Sequence, residues 1–218
     1  MKIGILGGSF NPVHVGHLRL GIEALENLGL DRLEFIPCFH PPHKSALHLL
    51  PFSLRLNLLK TSIAGLGQTG VNPVESLLPI PSYTWQTLER LAESGASQER
   101  WFIMGMKDFE IFDQWSRRRR IEELTHLAVA GQAKGDRNRF QALAERFWPE
   151  GVFSDPNRMV LPCGSEVVLY FIPRLEIDST LVRRRWLEGK SIRHLVTDSC
   201  FDLLRENRRT VTEIWGRE

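Results

Sequence analysis

Two histidines three residues apart, His14 and His17, follow a glycine pair and an Asn-Pro step in the stretch GGSFNPVHVGH. The run KIGIL leads into the glycines, and a helical pattern begins at the second histidine. Gly7 and Gly8 let backbone approach a ligand with no Cβ in the way. The start of a helix offers unpaired N–H groups and the positive end of its dipole, which suits phosphate. A spacing of three puts both imidazoles on one face of a first turn, where each can donate to phosphate oxygens and its charge can follow phosphate chemistry. The same residues equally fit a glycine turn with two structural histidines. The stretch is neither G-x-G-x-x-G nor G-x-x-x-x-G-K-[ST], so it is no Rossmann fingerprint and no Walker P-loop.

The elements that must hold this turn follow from hydrophobic periodicity. KIGIL reads as a buried strand, with a helix over 18–28 closed by Gly29. RLEFIP is a second strand, HPPHKS a loop, and SLRLNLLKTSIAGL a helix with Ser53 as its N-cap. GVNPVES is short and extended, and SYTWQTLERLAES is a helix starting near Ser82 or Thr84. ERWFIMG, HLAVAGQ and EVVLYFI read as strands; RRRRIEELT, DRNRFQALAERFW, STLVRRRWLEG and a last DSCFDLLRENR read as helices. Such alternation predicts an α/β fold with a mostly parallel sheet, and the opening turn would lie at the carboxyl end of its first strand, where open sheets bind ligands. The segment 131–162 is the least regular and is expected to hold an insertion or a flexible loop.

Composition bounds the alternatives. Across 218 residues, 42% are apolar and 25% charged, which is ordinary for a globular chain able to bury a sizeable core. A formal net charge of +2 gives no whole-molecule argument for nucleic acid. Cys38, Cys163 and Cys200 form neither a CxxC pair nor a disulfide framework, so a reducing cytoplasm is expected. No apolar run reaches the ~18 residues of a membrane span. The opening residues do not read as a signal peptide, because Gly7, Gly8, Asn11 and Pro12 interrupt any apolar core.

GGSFNPVHVGH resembles the signature of the nucleotidyltransferase superfamily that carries H-x-G-H, with His14-Val15-Gly16-His17 in that place. Within it the chain resembles bacterial nicotinate mononucleotide adenylyltransferases. PPHK (41–44) follows the second strand, and PSYTWQTL (81–88) resembles the family's P-S-Y-T-x-D-T-L. FIMGMKDFEIFDQW (102–115) resembles its strand, glycine and tryptophan block. IDSTLVRRRWLEGKSIRHLV (177–196) resembles its I-S-S-T-x-[IV]-R followed by G-x-S-[IV]-R-x-L-V.

The resemblance implies a Rossmann-like, doubly wound α/β domain over 1–218, with flanking helices and a small helical portion over 177–218 closing the ATP site. It implies adenylyl transfer from ATP to nicotinate mononucleotide, giving deamido-NAD and pyrophosphate, with Mg2+ carried on the triphosphate and no nucleic-acid or membrane partner. Catalysis would fall to His14, His17, Lys44 and Arg183. Nucleotide binding would fall to Gly7, Gly8, Ser9, Phe10, Gly16, Gly105, Ser179 and Thr180, and acceptor binding to His43, Thr84, Lys107 and Trp115. In this assignment His17 stabilises the transition state, His14 helps hold the phosphates, and the Trp115 ring stacks on the nicotinate.

Three positions depart from the family pattern: Cys38 where Asn is expected, Gln86 where Asp is expected, and Lys107 where Asp is expected unless Asp108 substitutes for it. The usual Arg-Pro after the next strand is also replaced, by GQAKG. The ATP-side motifs are intact and the changes cluster on the acceptor side. Two other readings therefore stand beside the first: transfer to another phosphorylated small molecule, and a catalytically weak nucleotide-binding paralogue. Arg117 to Arg120 could form a nucleic-acid patch, but four charges within one helical turn point around its circumference with no stacking aromatics interleaved, so a solvated helix face is expected.

Overall fold

A strand buried on both faces reads as an unbroken apolar run rather than an alternating one. Residues 3–6, 101–104, 127–130 and 167–170 are such runs, and each is buried residue after residue. The computed structural model describes residues 1–41, 46–93, 98–133 and 135–217. His43 and Lys44 lie outside the described residues.

The strands are β1 (Lys2–Gly8), β2 (Arg32–Pro37), β3 (Thr69–Val71), β4 (Glu99–Gly105), β5 (His126–Gly131), β6 (Val152–Asp155), β7 (Arg158–Val160) and β8 (Glu166–Phe171). Among the described residues they form one sheet in the order β3-β2-β1-β4-β5-β8-β7-β6. β1–β4, β4–β5 and β5–β8 pair in parallel, whereas β6–β7 and β7–β8 are antiparallel. Chain order reverses between β1 and β4, which makes the turn after β1 the topological switch point. The helices are α1 (Val15–Leu28), α2 (Phe52–Ile63), α3 (Thr84–Glu93), α4 (Met106–Glu110), α5 (Arg118–Leu124), α6 (Asp136–Phe147), α7 (Ser179–Leu187), α8 (Asp198–Glu206) and α9 (Arg208–Trp215). A mostly parallel sheet flanked by helices is the α/β class that the sequence predicts.

The chain divides into two compact units, one of Met1–Gly7, Leu20–Leu33 and Tyr83–Arg174, the other of Gly8–Arg19, Glu34–Ser82 and Leu175–Glu218. In the first, Phe109 stacks on Phe140 at 5.5 Å and meets Phe147 edge-on at 5.5 Å, with Phe112 and Trp148 completing an aromatic core. In the second, Leu58, Leu59, Leu204 and Val211 are fully buried, each contributing about 1.5–3 kcal/mol.

Several local expectations change. Ser53 is not the cap of α2: the cap falls two residues earlier, at Pro51, whose carbonyl accepts the Arg55 N–H at 3.0 Å. Asp178 caps α7, its carboxylate accepting the Leu181 N–H at 2.7 Å. The last helix is two, with Asn207 between α8 and α9. Segment 131–162 holds α6 and the β6–β7 hairpin, whose short exposed strands carry too weak an alternation to be legible.

Candidate active site

The carbonyl of His14 accepts the N–H groups of His17 (2.9 Å) and Leu18 (3.3 Å), so α1 begins on this histidine and His17 lies in its first turn. The His14 N–H in turn donates to Nδ1 of His17 at 3.3 Å, and the two rings lie 3.7 Å apart, tilted by 30°. A neutral imidazole that accepts at Nδ1 carries its proton on Nε2. His17 is thereby set as an Nε2–H donor at a helix start, the arrangement that meets a phosphate oxygen.

His14 behaves differently. It is buried, its Nδ1 has no hydrogen-bond partner among the described residues, and burial drives its pKa down to about 4 despite the opposing charge of Asp178. It is therefore a neutral ring at neutral pH. Gly16 leaves it room: a Cβ at 16 would stand 3.0 Å from His14 Nδ1 and 3.3 Å from the Ile177 carbonyl.

Phe10, expected among the nucleotide-binding residues, has its side chain fully buried, with a positive φ of 43°. Its ring meets His17 edge-on at 5.0 Å and Phe35 at 6.0 Å. A Cβ at Gly8 would stand 3.2 Å from that ring. The Phe10 side chain therefore supports His17, and only its backbone is left to meet a ligand. Holding a bulky residue at positive φ costs on the order of 1–3 kcal/mol, which the ring's burial offsets.

Asn11 ties this turn to the rest of its unit. Its amide donates to the His48 carbonyl (2.7 Å) and accepts from the Leu50 N–H (3.1 Å) and Trp215 Nε1 (3.4 Å). Its carbonyl accepts from Arg183 Nη1 at 2.9 Å, while Arg183 Nη2 donates to Thr180 Oγ1 at 3.0 Å. Burial lowers the pKa of Arg183, with Asp178 opposing. The Ser179 hydroxyl donates to the Pro12 carbonyl at 2.9 Å. So Gly8, Phe10, His14, Gly16, His17, Ser179, Thr180 and Arg183 are brought together in the second unit, and the Ser9 carbonyl joins them through Arg55 Nη1 at 2.7 Å.

The first unit carries Gly7, Thr84, Gly105, Lys107 and Trp115. Trp115 is half-buried, edge-on to Phe102 at 5.8 Å and against Phe112 at 5.5 Å. Thr84 opens α3, and Gln86 caps that helix: its Oε1 accepts the Tyr83 N–H at 2.9 Å, the reach-back of a capping box. A glutamine can make this bond as a carboxylate would. Lys107 and Asp108 are both exposed, and Asp108 Oδ2 is the atom nearest to where a Gly105 Cβ would stand, at 4.0 Å. In the second unit, Cys38 donates its N–H to the Gly8 carbonyl at 2.8 Å.

The arginine run is dispersed, as its spacing predicts. Arg117 lies over the Trp85 ring at 4.1 Å, Arg118 donates to the Phe147 carbonyl at 2.9 Å, and Arg120 pairs with Glu89 at 2.7 Å and Glu123 at 3.0 Å.

Sequence reasoning missed Asn11, Arg55, Asp178 and Trp215. Asp178 had a signal, an Asp three residues ahead of Leu181 at a helix start. Arg55 had one too, a charge on the stripe of Leu58, Leu59, Ser62 and Ile63 that α2 buries. Asn11 and Trp215 are 204 residues apart, and nothing local links them.

The cytidylyltransferase-like family matches residues 5–185. A protein of Maridesulfovibrio salexigens named a probable nicotinate-nucleotide adenylyltransferase is 32% identical over 99% of this chain and 100% of its own length. One of Syntrophotalea carbinolica with the same name is 35% identical over 90% of this chain and 91% of its own. The fold is similar to that of Plasmodium falciparum nicotinic acid mononucleotide adenylyltransferase complexed with NaAD, with a TM-score of 0.72 at 16% identity, over 96% of this chain and 97% of that one. With the histidine pair at the switch point and this likeness over nearly the whole length, the chain belongs to the cytidylyltransferase-like family, among its nicotinate-nucleotide adenylyltransferases.

Proposed function

We propose that the protein transfers the adenylyl group of ATP to nicotinate mononucleotide. An oxygen of the acceptor phosphate attacks the α-phosphorus; the bond from that phosphorus to the bridging oxygen breaks; pyrophosphate leaves and a dinucleotide forms. No covalent enzyme intermediate is needed, so the protein's part is positioning and stabilisation of charge spreading over oxygens. The observation that carries this reading is His17 in the first turn of α1 with its Nδ1 occupied by the His14 N–H, which leaves Nε2–H as the donor. His17 donates to the phosphate oxygens on which charge builds. Arg183, held by Asn11 and Thr180, adds a guanidinium fork from α7.

Mg2+ would come with the triphosphate and neutralise its charge. Such a cation would be held through phosphate oxygens and water rather than by a protein cage.

The test is to incubate the purified protein with ATP, Mg2+ and a panel of mononucleotides and phosphorylated metabolites, and to measure pyrophosphate release. Release with nicotinate mononucleotide above every other acceptor is expected. Release only with a different acceptor, or with none, overturns the reading.

A further inference from the structure

Arg55 is the largest fully buried side chain among the described residues, 1% exposed, and the adenylyl-transfer reading gives it no part. It sits on the apolar stripe of α2 and sends all three nitrogens to main-chain carbonyls. Nε donates to Leu50 at 2.9 Å, Nη1 to Ser9 at 2.7 Å and Nη2 to Phe39 at 3.4 Å. These carbonyls belong to the turn after β1, the loop after β2 and the entry to α2. The preceding peptide is held as well, the Phe39 N–H donating to the buried Glu75 carboxylate at 3.0 Å. Burial lowers the Arg55 pKa to about 10, with Cys38 and Glu75 opposing, so it remains a cation at neutral pH.

A trans peptide points its N–H opposite to its C=O. A guanidinium that draws the Ser9 carbonyl inward turns the Phe10 N–H outward, and the same pull at Phe39 turns out the His40 N–H. Backbone N–H groups turned outward from two neighbouring loops present two donors to an anion. The buried guanidinium also places a fixed positive charge against the Ser9 carbonyl, where water screens it little.

We propose that Arg55 is a positioning residue for nucleotide binding: it orients the turn after β1 so that its backbone N–H groups face the phosphates. This rests on the adenylyl-transfer reading. A lysine there keeps the charge, but its compact ammonium lacks the planar fork that spans three carbonyls.

The test compares Arg55→Gln, Arg55→Lys and Leu58→Ala with the unaltered protein. Leu58 is fully buried on the same helix, so its truncation lowers stability without touching the three carbonyls. Melting temperature and the Kd for a non-hydrolysable ATP analogue with Mg2+ are measured for each. The expected order is wild-type affinity in Leu58→Ala, about threefold weaker in Arg55→Lys and about tenfold or more weaker in Arg55→Gln. In steady state the loss should appear in the KM for ATP, with kcat within about threefold. Wild-type affinity in Arg55→Lys overturns the proposal by itself, including where Arg55→Gln does not fold. Equal weakening in Leu58→Ala also overturns it, since that would reflect lost stability alone. If the unaltered protein binds the analogue but releases no pyrophosphate with nicotinate mononucleotide, the functional reading fails while the order of affinities still judges Arg55.

Discussion

The His14 backbone N–H donates to Nδ1 of His17 at 3.3 Å while the two imidazoles lie 3.7 Å apart, so one histidine sets the tautomer of the other. The consequence is a division of labour: a buried, neutral His14 inside the turn and a donor His17 at the helix start.

His17→Ala should lower kcat by about two orders of magnitude, while the Kd for an ATP analogue weakens far less, because the Nε2–H bond strengthens as charge builds on the phosphate oxygens. Single-turnover kinetics with pre-bound ATP check this. Turnover within about threefold of wild type would remove His17 from the catalytic role.

His14 makes stability depend on pH. Its pKa in the folded chain is about 4, below the ordinary 6.5 of an unfolded histidine, so the unfolded chain binds more protons between those values. The contribution of the neutral buried ring is complete above pH 6.5 and is lost as pH falls toward 4, amounting to roughly 3 kcal/mol. Denaturant midpoints measured from pH 7.5 to 4.5 should fall for the unaltered protein more steeply than for His14→Asn. Parallel curves would mean that His14 is accessible to protons in the folded state.

Gly8→Val should damage both binding and stability. The first side-chain carbon already stands 3.2 Å from the Phe10 ring, so the two methyl groups push that ring and, through it, His17. Overpacking of this kind costs about 1–3 kcal/mol, or ~3–10 °C in melting temperature for a chain of this size. Calorimetry and a melting curve decide. A normal melting temperature with lost ATP binding would place the harm in the ligand's space rather than at Phe10.

The acceptor side turns on two neighbours. Lys107 and Asp108 are both exposed, and Asp108 Oδ2 stands 4.0 Å from where a Gly105 Cβ would be. Asp108→Ala should lower kcat/KM for nicotinate mononucleotide about tenfold or more, and Lys107→Asp should stay within about threefold. Both variants are to be assayed on nicotinate and nicotinamide mononucleotides. A collapse of the preference for the carboxylate-bearing ring in Lys107→Asp alone would return the acceptor contact to the lysine.

The sequence by itself determined the order of the main strands and helices, because unbroken apolar runs and 3.6-residue stripes are local signals. It also determined the glycine turn and the histidine pair, whose spacing of three needs no more than one helical turn to put them on one face. Only the tertiary structure decided how those groups are held. Asn11 meets Trp215 across nearly the whole chain, Ser179 gives its hydroxyl to the Pro12 carbonyl, and Arg55 gathers three carbonyls from three segments. The pKa of His14 belongs to the same class, since burial is a property of everything packed around a residue and not of its neighbours in sequence. Residue types and spacing reveal which chemistry is on offer. The direction of a donor, the tautomer of a ring and the charge it carries are settled by contacts between segments far apart in the chain.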